Sequence, residues 1–398
     1  MERLYYENQY IKDFVAEIID VKEVDGKFHI VLDKTAFFPG GGGQPCDSGL
    51  IENLNVIDVY EENGVIYHVT EKKPIKIHRV KCSVDWIKRF DGMQQHLGQH
   101  VLSGCFFKFF NANTCGFHLG QFVSTVDIEG ILDEETIRKA EAMANEIIHN
   151  NLKVEFLLPN KKELKKLNLR RDLPKTDEQI RVVKIEDLDI NACCGVHPSS
   201  TLELQVIKIK RWEKHKKATR IEFLAGSRAV EDYIKKDHYM NLICRYLNTN
   251  EEEAIKGIKN LHEELKNTAE ENKKAMIELT NYKTREIIDS AEKIGDISIV
   301  KEIYDNEDMK YVSKLVSKIT DNPKTIVLMA VTSSEKANLI FAKSKDIQNI
   351  SMNNLLKDTI TLIDGRGGGS EFLAQGGGKN NGNVDSALNS AFIKIKNS

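Results

Sequence analysis

Two short pairs of soft-metal ligands, far apart in the chain, constrain this sequence more than any other feature. His96 and His100 stand four residues apart in H-L-G-Q-H, and Cys193 and His197 stand four apart in C-C-G-V-H. Imidazole and thiolate suit a borderline-soft ion such as zinc, and these four side chains together would complete a tetrahedron. Around the first pair, Met93, Leu97, Leu102, Cys105, Phe106 and Phe109 recur at helical spacing, which predicts an amphipathic helix. Residues four apart on a helix share a face, so both imidazoles point the same way. Around the second pair, Gly195 and Pro198 predict a turn that can bend Cys193 and His197 onto one ion. Spacing alone does not establish that the pairs meet: either pair by itself reads more readily as structural than as a metal site, and the two together fit either reading equally.

The chain has 398 residues, more than a single core usually supports, so several domains are expected. A net charge of −3 gives no global attraction to nucleic acid, and polyanion binding would need local basic patches. No stretch approaches the ~20 apolar residues of a membrane span, and the polar start M-E-R-L-Y-Y-E-N-Q-Y does not read as a signal peptide. The seven cysteines are irregularly spaced, which favours free thiols or metal ligands over a disulfide framework and points to the cytoplasm.

Pattern along the chain predicts an α+β multidomain protein. Residues 1–85 carry short alternating runs (F-H-I-V-L-D, N-V-I-D-V-Y, V-I-Y-H-V-T) separated by Asp-Gly and Asn-Gly turns, which fits a small β-barrel. Residues 86–225 read as an α+β core that holds both ligand pairs. It includes a helix from Asp133 to Asn150 with Asp133 as N-cap, and strands in Q-F-V-S-T-V-D-I, K-V-E-F-L-L, I-R-V-V-K-I, L-E-L-Q-V-I-K-I and R-I-E-F-L. Residues 226–294 read as a charged helical spacer, one helix ending at Leu247 and a second, longer one starting near Asn250. Ile258, Leu261, Leu265, Leu279 and Tyr282 keep a 3–4 spacing that Asn272 interrupts. A helical hairpin, a coiled-coil homodimer and a solvated spacer all fit this pattern. Residues 295–398 read as an α/β unit with neighbouring strands T-I-V-L-M-A-V-T and A-N-L-I-F-A, and helices near 307–320, 350–357 and 384–396.

Two glycine-rich segments match neither a Walker A nor a dinucleotide fingerprint. In T-A-F-F-P-G-G-G-G-Q-P-C-D-S-G, residues 35–49, four successive glycines let backbone approach a ligand closely, and Gln44 offers a donor and an acceptor at the rim. The second, Gly365 to Gly378, sets Arg366 beside Gly367, Gly368 and Gly369, a combination suited to phosphate. A flexible linker is the plain alternative, although Phe37, Phe38, Phe372 and Leu373 are poor linker residues. Cations cluster in 161–171 and 208–220. In the second run Trp212 can stack on a base while neighbours such as Lys214 and Arg220 hold phosphates.

In this order the elements resemble the alanyl-tRNA synthetase editing family, most closely its free-standing long AlaX-type members, over essentially the whole chain. The family's loop appears as F37-F-P-G-G-G-G-Q-P-C-D-S-G49, followed by His96/His100, Cys193/His197, a helical stretch, and R366-G-G-G-S…A-Q-G-G-G378. The resemblance implies zinc on His96, His100, Cys193 and His197, and hydrolysis of tRNA(Ala) mischarged with serine or glycine. It further implies a substrate-binding loop at Gly42 and Gly43, pocket residues Thr35 and Gln44, and a C-terminal domain like that of DHH-type phosphoesterases that holds tRNA or a second subunit. The chain departs from the pattern in several places. Cys194 stands where glycine is common, so either thiol fits, with spacing to His197 favouring Cys193. Phe38 replaces a tyrosine, Arg366 replaces a lysine, Pro198 follows His197, and glycine at both 40 and 41 predicts a looser loop.

By the same resemblance, zinc would polarise the ester carbonyl or lower the pKa of a bound water. Four protein ligands would close a tetrahedral site, whereas a catalytic zinc keeps a position open. Activating water and positioning the tRNA 3′ end therefore both remain open; His118 and Asp127 are candidate general bases. Two other readings stand beside this one: a non-catalytic tRNA-binding protein with structural zinc, and an editing hydrolase for another aminoacyl-tRNA, such as that of threonyl-tRNA synthetase.

Overall fold

The computed structural model describes residues 1–75, 79–171, 173 and 179–397. Contacts divide the chain into two compact units, Met1–Tyr246 and Leu247–Ser398. The two long helices expected as one spacer fall on either side of that division, Ser227–Leu247 closing the first unit and Ala254–Asp289 opening the second.

The first unit begins with a closed barrel of six antiparallel strands, in the order Asp13–Val24, Lys27–Leu32, Val65–Thr70, Leu54–Glu62, Gly49–Ile51, Arg79–Val84. Asp25-Gly26 and Asn63-Gly64 make two of its tight hairpins. All four residues have positive φ, the conformation that matches the twist of paired strands and that Asp, Asn and Gly tolerate. Ile30, Ile51, Val59, Ile66 and Val80 fill the interior. The strand Asp13–Val24 escapes a period-two reading because its exposed positions include the apolar Ile19 and Val24, whereas Arg79–Val84 does alternate, with Val80, Cys82 and Val84 buried.

After the barrel, Asp85 caps a helix, Trp86–Phe110, that runs through the middle of the unit and ends at Asn111 in the left-handed conformation. The expected amphipathic helix is instead buried around its whole circumference from Gly92 to Phe106. Its polar residues are tolerated because each finds a partner. Gln94 donates to the Glu203 carbonyl at 2.7 Å, Gln95 exchanges two hydrogen bonds with the Ala225 backbone, and Gln99 donates to Ser103. Against this helix pack a four-stranded sheet (Ile207–His215, Ala218–Ala225, Ser124–Glu129, Thr114–Leu119), a three-stranded sheet (Val154–Leu157, Val182–Ile185, Asp189–Ala192) and the helix Glu134–His149. Asp133 caps that helix by accepting from the Thr136 amide at 2.8 Å. The run L-E-L-Q-V-I-K-I is a strand only from Ile207. Its first half is a 3-10 turn, Thr201–Leu204, because the Ser200 hydroxyl accepts from the Leu202 amide and starts a turn there.

One buried ion pair ties the glycine-rich loop to the central helix. Arg89 bonds Asp47 through Nε at 2.9 Å and also through Nη2, and its guanidinium donates to the Ala36 carbonyl. Asp47 in turn accepts from the Phe38 amide at 2.6 Å.

In the second unit the helix Ala254–Asp289 continues unbroken through Asn272, since a single Asn on a solvated face costs little helix propensity. The sheet that follows has six strands, in the order Glu292–Ile294, Ile297–Asp305, Thr325–Thr332, Lys336–Lys343, Leu373–Lys379, Arg366–Gly369. Only Ile297–Asp305 and Thr325–Thr332 run parallel, joined through the helix Met309–Thr320; the other pairings are antiparallel. This corrects the α/β expectation for the C-terminal part to α+β. Helices Met352–Thr359 and Val384–Lys396 cover one face over Leu328, Leu339 and Phe341, and Met309–Thr320 covers the other over Val327, Met329 and Ile340.

Replacing Arg89 with Met leaves the Asp47 carboxylate buried without its cation, and breaking such a pair costs about 3–5 kcal/mol. Chemical denaturation of Arg89→Met should show a loss in that range, and Arg89→Met/Asp47→Leu a smaller one. A single variant as stable as wild type would contradict the anchoring role.

Candidate metal centre and cleft

The central helix and the turn after strand Asp189–Ala192 bring the two ligand pairs together. One ligand atom from each of His96, His100, Cys193 and His197 lies within 4.8 Å of all the others. The Cys193 Sγ is 3.4 Å from His96 Nε2 and 3.6 Å from His197 Nε2. Zinc bonds of ~2.0–2.3 Å in a tetrahedron would set S and N ligands roughly 3.5 Å apart, so the donor set fits such an ion. Cys193 belongs to this cluster and Cys194 does not: the neighbouring thiol is exposed.

The hydrogen bonds behind the ligands leave nitrogen lone pairs aimed inward. His96 Nδ1 donates to Gln44 Oε1 at 3.1 Å, which frees Nε2. His100 Nδ1 donates to Asp189 at 2.8 Å, and Arg170 in turn holds Asp189 through Nε at 2.7 Å. Among the described residues, nothing hydrogen-bonds the buried His100 Nε2 or His197 Nδ1. A buried unpaired imidazole nitrogen is costly, and a cation would satisfy the one on His100. Room for the His96 ring comes from Gly195, where a Cβ would lie 2.3 Å from two ring atoms.

Charge points the same way. Burial opposes a thiolate at Cys193, yet attraction to His96 and His197 and the close approach of His100 hold its pKa well below the usual thiol value. Burial also opposes charge on His100, but Asp189 and Cys193 outweigh it and raise the pKa to about 9. Burial keeps His197 neutral by lowering its pKa to about 3. The cluster thus favours a thiolate at Cys193 beside a protonated His100, and a divalent cation there would take the place of that proton.

His96, His100 and Cys193 open onto a cleft of about 1200 Å³, lined also by Tyr5, Tyr6, Phe38, Phe117, Phe156 and Arg181. Gly42 lines it, and Gly43 lies behind with φ +82°, where a Cβ would meet the Phe117 ring at 2.5 Å. The expected looseness of this loop is absent: Gly41 and Gln44 exchange two backbone hydrogen bonds of 3.0 Å, closing a tight turn. Gln44 itself is buried behind the ligands, where its Oε1 takes the Val196 amide as well as His96. Thr35 is not part of the cleft lining. Its buried hydroxyl donates to His68 Nε2 at 2.8 Å and accepts from the Phe37 amide, while His68 Nδ1 donates to the Ile30 carbonyl.

The other sequence candidates lie outside the cleft wall. Trp212 is covered by the Arg138 guanidinium at 4.8 Å from its ring, which corrects its reading as an open stacking platform. Arg220 forms two 2.8 Å bonds to Asp127, which removes Arg220 as a free phosphate contact and Asp127 as a general base; that bond first of all keeps the Asp127 pKa low. Lys214 and His118 are exposed on strands. Arg366 is exposed, but Gly367, Gly368 and Gly369 form an edge strand paired with Gly376, Gln375 and Ala374. None of these glycines has positive φ, so the expected nest of converging amides is replaced by a hairpin, in which a Cβ at Gly367 would lie 2.5 Å from Gly376 Cα.

Sequence reasoning missed Asp189, Arg170 and Arg181. The signal available was the polar residues Asp189 and Asn191 alternating within an otherwise apolar D-I-N-A strand next to Cys193.

Comparison with known proteins gives a consistent set of relatives. Residues 180–222 match the threonyl and alanyl tRNA synthetase second additional domain, 295–397 match the DHHA1 domain, and 3–88 match class II (A) tRNA synthetases. The alanyl-tRNA editing protein AlaX-L of Pyrococcus horikoshii is 33% identical over 392 residues, which cover 94% of each chain. The mouse alanyl-tRNA editing protein Aarsd1 is 29% identical over 89% of this chain and 85% of its own. An alanine–tRNA ligase of Methanobrevibacter smithii is 28% identical, covering 98% of this chain and 45% of the ligase, so the chain spans less than half of that enzyme. Among the described residues no helix is long and apolar enough to cross a membrane.

Two outcomes follow from this geometry. Asp189→Asn should weaken zinc binding about 10–100-fold in a chelator competition, because the ligand His100 loses its carboxylate partner; an unchanged affinity would contradict that link. Burial lowers the His68 pKa to about 4. The unfolded chain, with a pKa near 6.5, therefore binds the extra proton first, and stability is full above pH ~6.5 and lost as pH falls toward 4. Between pH 7.5 and 5, wild type should lose about 2 kcal/mol more than His68→Gln in chemical denaturation, and equal losses would refute the assignment.

Proposed function

This chain belongs to the AlaX-type alanyl-tRNA editing family, and on that premise we propose that it is a trans-acting deacylase for tRNA(Ala) mischarged with serine or glycine, with zinc at its centre. The observation that carries this reading is that three of the four candidate ligands, His96, His100 and Cys193, line a cleft of about 1200 Å³. That volume suits an aminoacylated nucleoside, and a purely structural zinc would have no reason to face it.

Bound zinc would supply Lewis-acid polarisation of the ester carbonyl and charge for the developing oxyanion. The chain's own residues do the positioning. Gln44 and Asp189 keep the Nδ1 protons of His96 and His100 in place, so both rings present Nε2 to the centre. Gln44 therefore serves as a positioning residue for His96. Thr35 would influence selectivity from beneath, through its hold on the Phe37 amide and His68. Gly42 and Gly43 shape the loop over the centre. Arg366 on the C-terminal hairpin is proposed as a phosphate contact for the body of the tRNA, alongside exposed Lys214.

We further propose a division of labour along the chain: barrel 1–85, editing core 86–225, helical spacer 226–294 and C-terminal domain 295–398, with homodimerisation through the spacer or the last domain. The names of the relatives favour alanyl over threonyl substrates, while the 180–222 match is common to both families.

Deacylation of Ser-tRNA(Ala) and Gly-tRNA(Ala), with Ala-tRNA(Ala) as control, tests the reading. Wild type should release serine or glycine and spare alanine, and His96→Ala should slow this by at least about 100-fold with the fold retained. A folded, zinc-loaded wild type that releases none of the three would overturn the catalytic assignment. Unfolding of His96→Ala would favour a structural ion.

A further inference from the structure

We infer that Arg181 is the anion receptor of the cleft, holding through the edge of its guanidinium the phosphodiester that carries the terminal nucleoside of the RNA; this rests on reading the cleft as the seat of a charged tRNA 3′ end. The guanidinium is sandwiched between two aromatic rings, with Tyr6 at 4.6 Å and Phe156 at 4.3 Å from its carbon. Both faces are thus covered, and only in-plane N–H groups remain to meet a ligand. One of them, on Nη1, donates to the Gly195 carbonyl at 2.7 Å.

Among the described residues the charge of Arg181 is buried without an acid opposite it, and Arg171, the other cleft arginine without an ion pair, is not held between aromatic rings. Arg89, Arg170 and Arg228 each face an aspartate, and Arg3 in the same cleft faces Glu61. Among the described residues no carboxylate pairs with Arg181. It is nonetheless largely withdrawn from water, and that burial pulls its pKa downward, with Tyr6 and Cys193 opposing. A guanidinium kept charged and desolvated without a counter-charge is a costly arrangement, and an arriving anion relieves it.

The chemistry of the substrate selects which anion. The α-amino group of an aminoacyl ester is a cation and the ribose is neutral. The negative group nearest the ester is the phosphodiester one nucleoside away, whose two free oxygens match a guanidinium fork. Arg181 is tied to Gly195, two residues from both Cys193 and His197, so an anion held there lies beside the ligand turn. Tyr6 fixes the same turn by donating to the Cys194 carbonyl at 2.6 Å.

A thermodynamic cycle tests this without reading catalysis. Binding of uncharged tRNA(Ala), complete or lacking its terminal nucleoside and the phosphodiester that carries it, is measured for zinc-loaded wild type, Arg181→Gln and Arg181→Lys, with zinc content determined for each. Truncation should weaken wild type about tenfold or more and Arg181→Gln less than about twofold. Arg181→Lys should be intermediate, since it keeps the charge and loses the fork. The log–log salt dependence of Arg181→Gln should fall by about 0.7, one single-strand phosphate contact. An equal truncation cost in wild type and Arg181→Gln overturns the inference and leaves Arg181 a brace for Gly195. If Arg181→Gln loses zinc, Arg181→Lys carries the cycle, and a truncation cost equal to wild type's then overturns it. Failure of wild type to deacylate would count against the proposed function alone, because this cycle measures only binding.

Discussion

A helix buried around its whole circumference must provide a partner for every polar side chain it carries, and that requirement organises the first unit. Between Arg89 and Ser103 the central helix carries an arginine, three glutamines and two histidines, all buried. Arg89 is met by Asp47 from the glycine-rich loop, Gln94 and Gln95 by the backbone around Glu203 and Ala225, and the histidines by Gln44, Asp189 and Cys193. Barrel loop, sheet edge and ligand turn are therefore drawn to one helix. The cleft forms where these elements fail to close over it.

The electrostatics of the cleft follow from that convergence. Buried acids and bases are paired in chains, Arg170 to Asp189 to His100 on one side and Arg89 to Asp47 on the other. At the end of the first chain stands a thiolate with an imidazole nitrogen that has no protein partner, a combination that a divalent cation completes. Arg181 is the mirror case, a cation without a carboxylate among the described residues, and an anion completes it. Two unfinished charges in one cleft suit a substrate that brings a polarisable ester and a phosphodiester close together.

How far the chain could be read in advance depends on how local each signal was. Asp25-Gly26, Asn63-Gly64 and the Asp133 cap were legible because turn and cap chemistry involves neighbours a few residues apart. The amphipathic reading of the central helix failed because its polar positions are buried against distant backbone, which no periodicity reports. The α/β reading of the last hundred residues failed for a related reason. A strand–helix–strand start is seen locally, but the next strand, Lys336–Lys343, already returns antiparallel to Thr325–Thr332, and the glycine hairpin that extends the sheet, Arg366–Gly369 with Leu373–Lys379, reads as a loop until its backbones are found in contact. Trp212 and Arg220 looked free in a basic run because their partners, Arg138 and Asp127, lie far away in sequence.

By itself the sequence determined the ligand types and their pairing: H-x-x-x-H on one helical face, C-x-x-x-H on a turn, and the ordered set of motifs that identifies the family. Ligand chemistry and i, i+4 geometry are local properties, so composition and spacing carry them. Only the tertiary structure decided that the two pairs meet, that Cys193 rather than Cys194 joins them, that Gln44 stands behind His96 and not in the cleft, and that Arg181 faces no carboxylate among the described residues. Each of these depends on which distant side chains share a low-dielectric interior, where an unpaired donor, acceptor or charge is costly, and that sharing is set by packing and not by order along the chain.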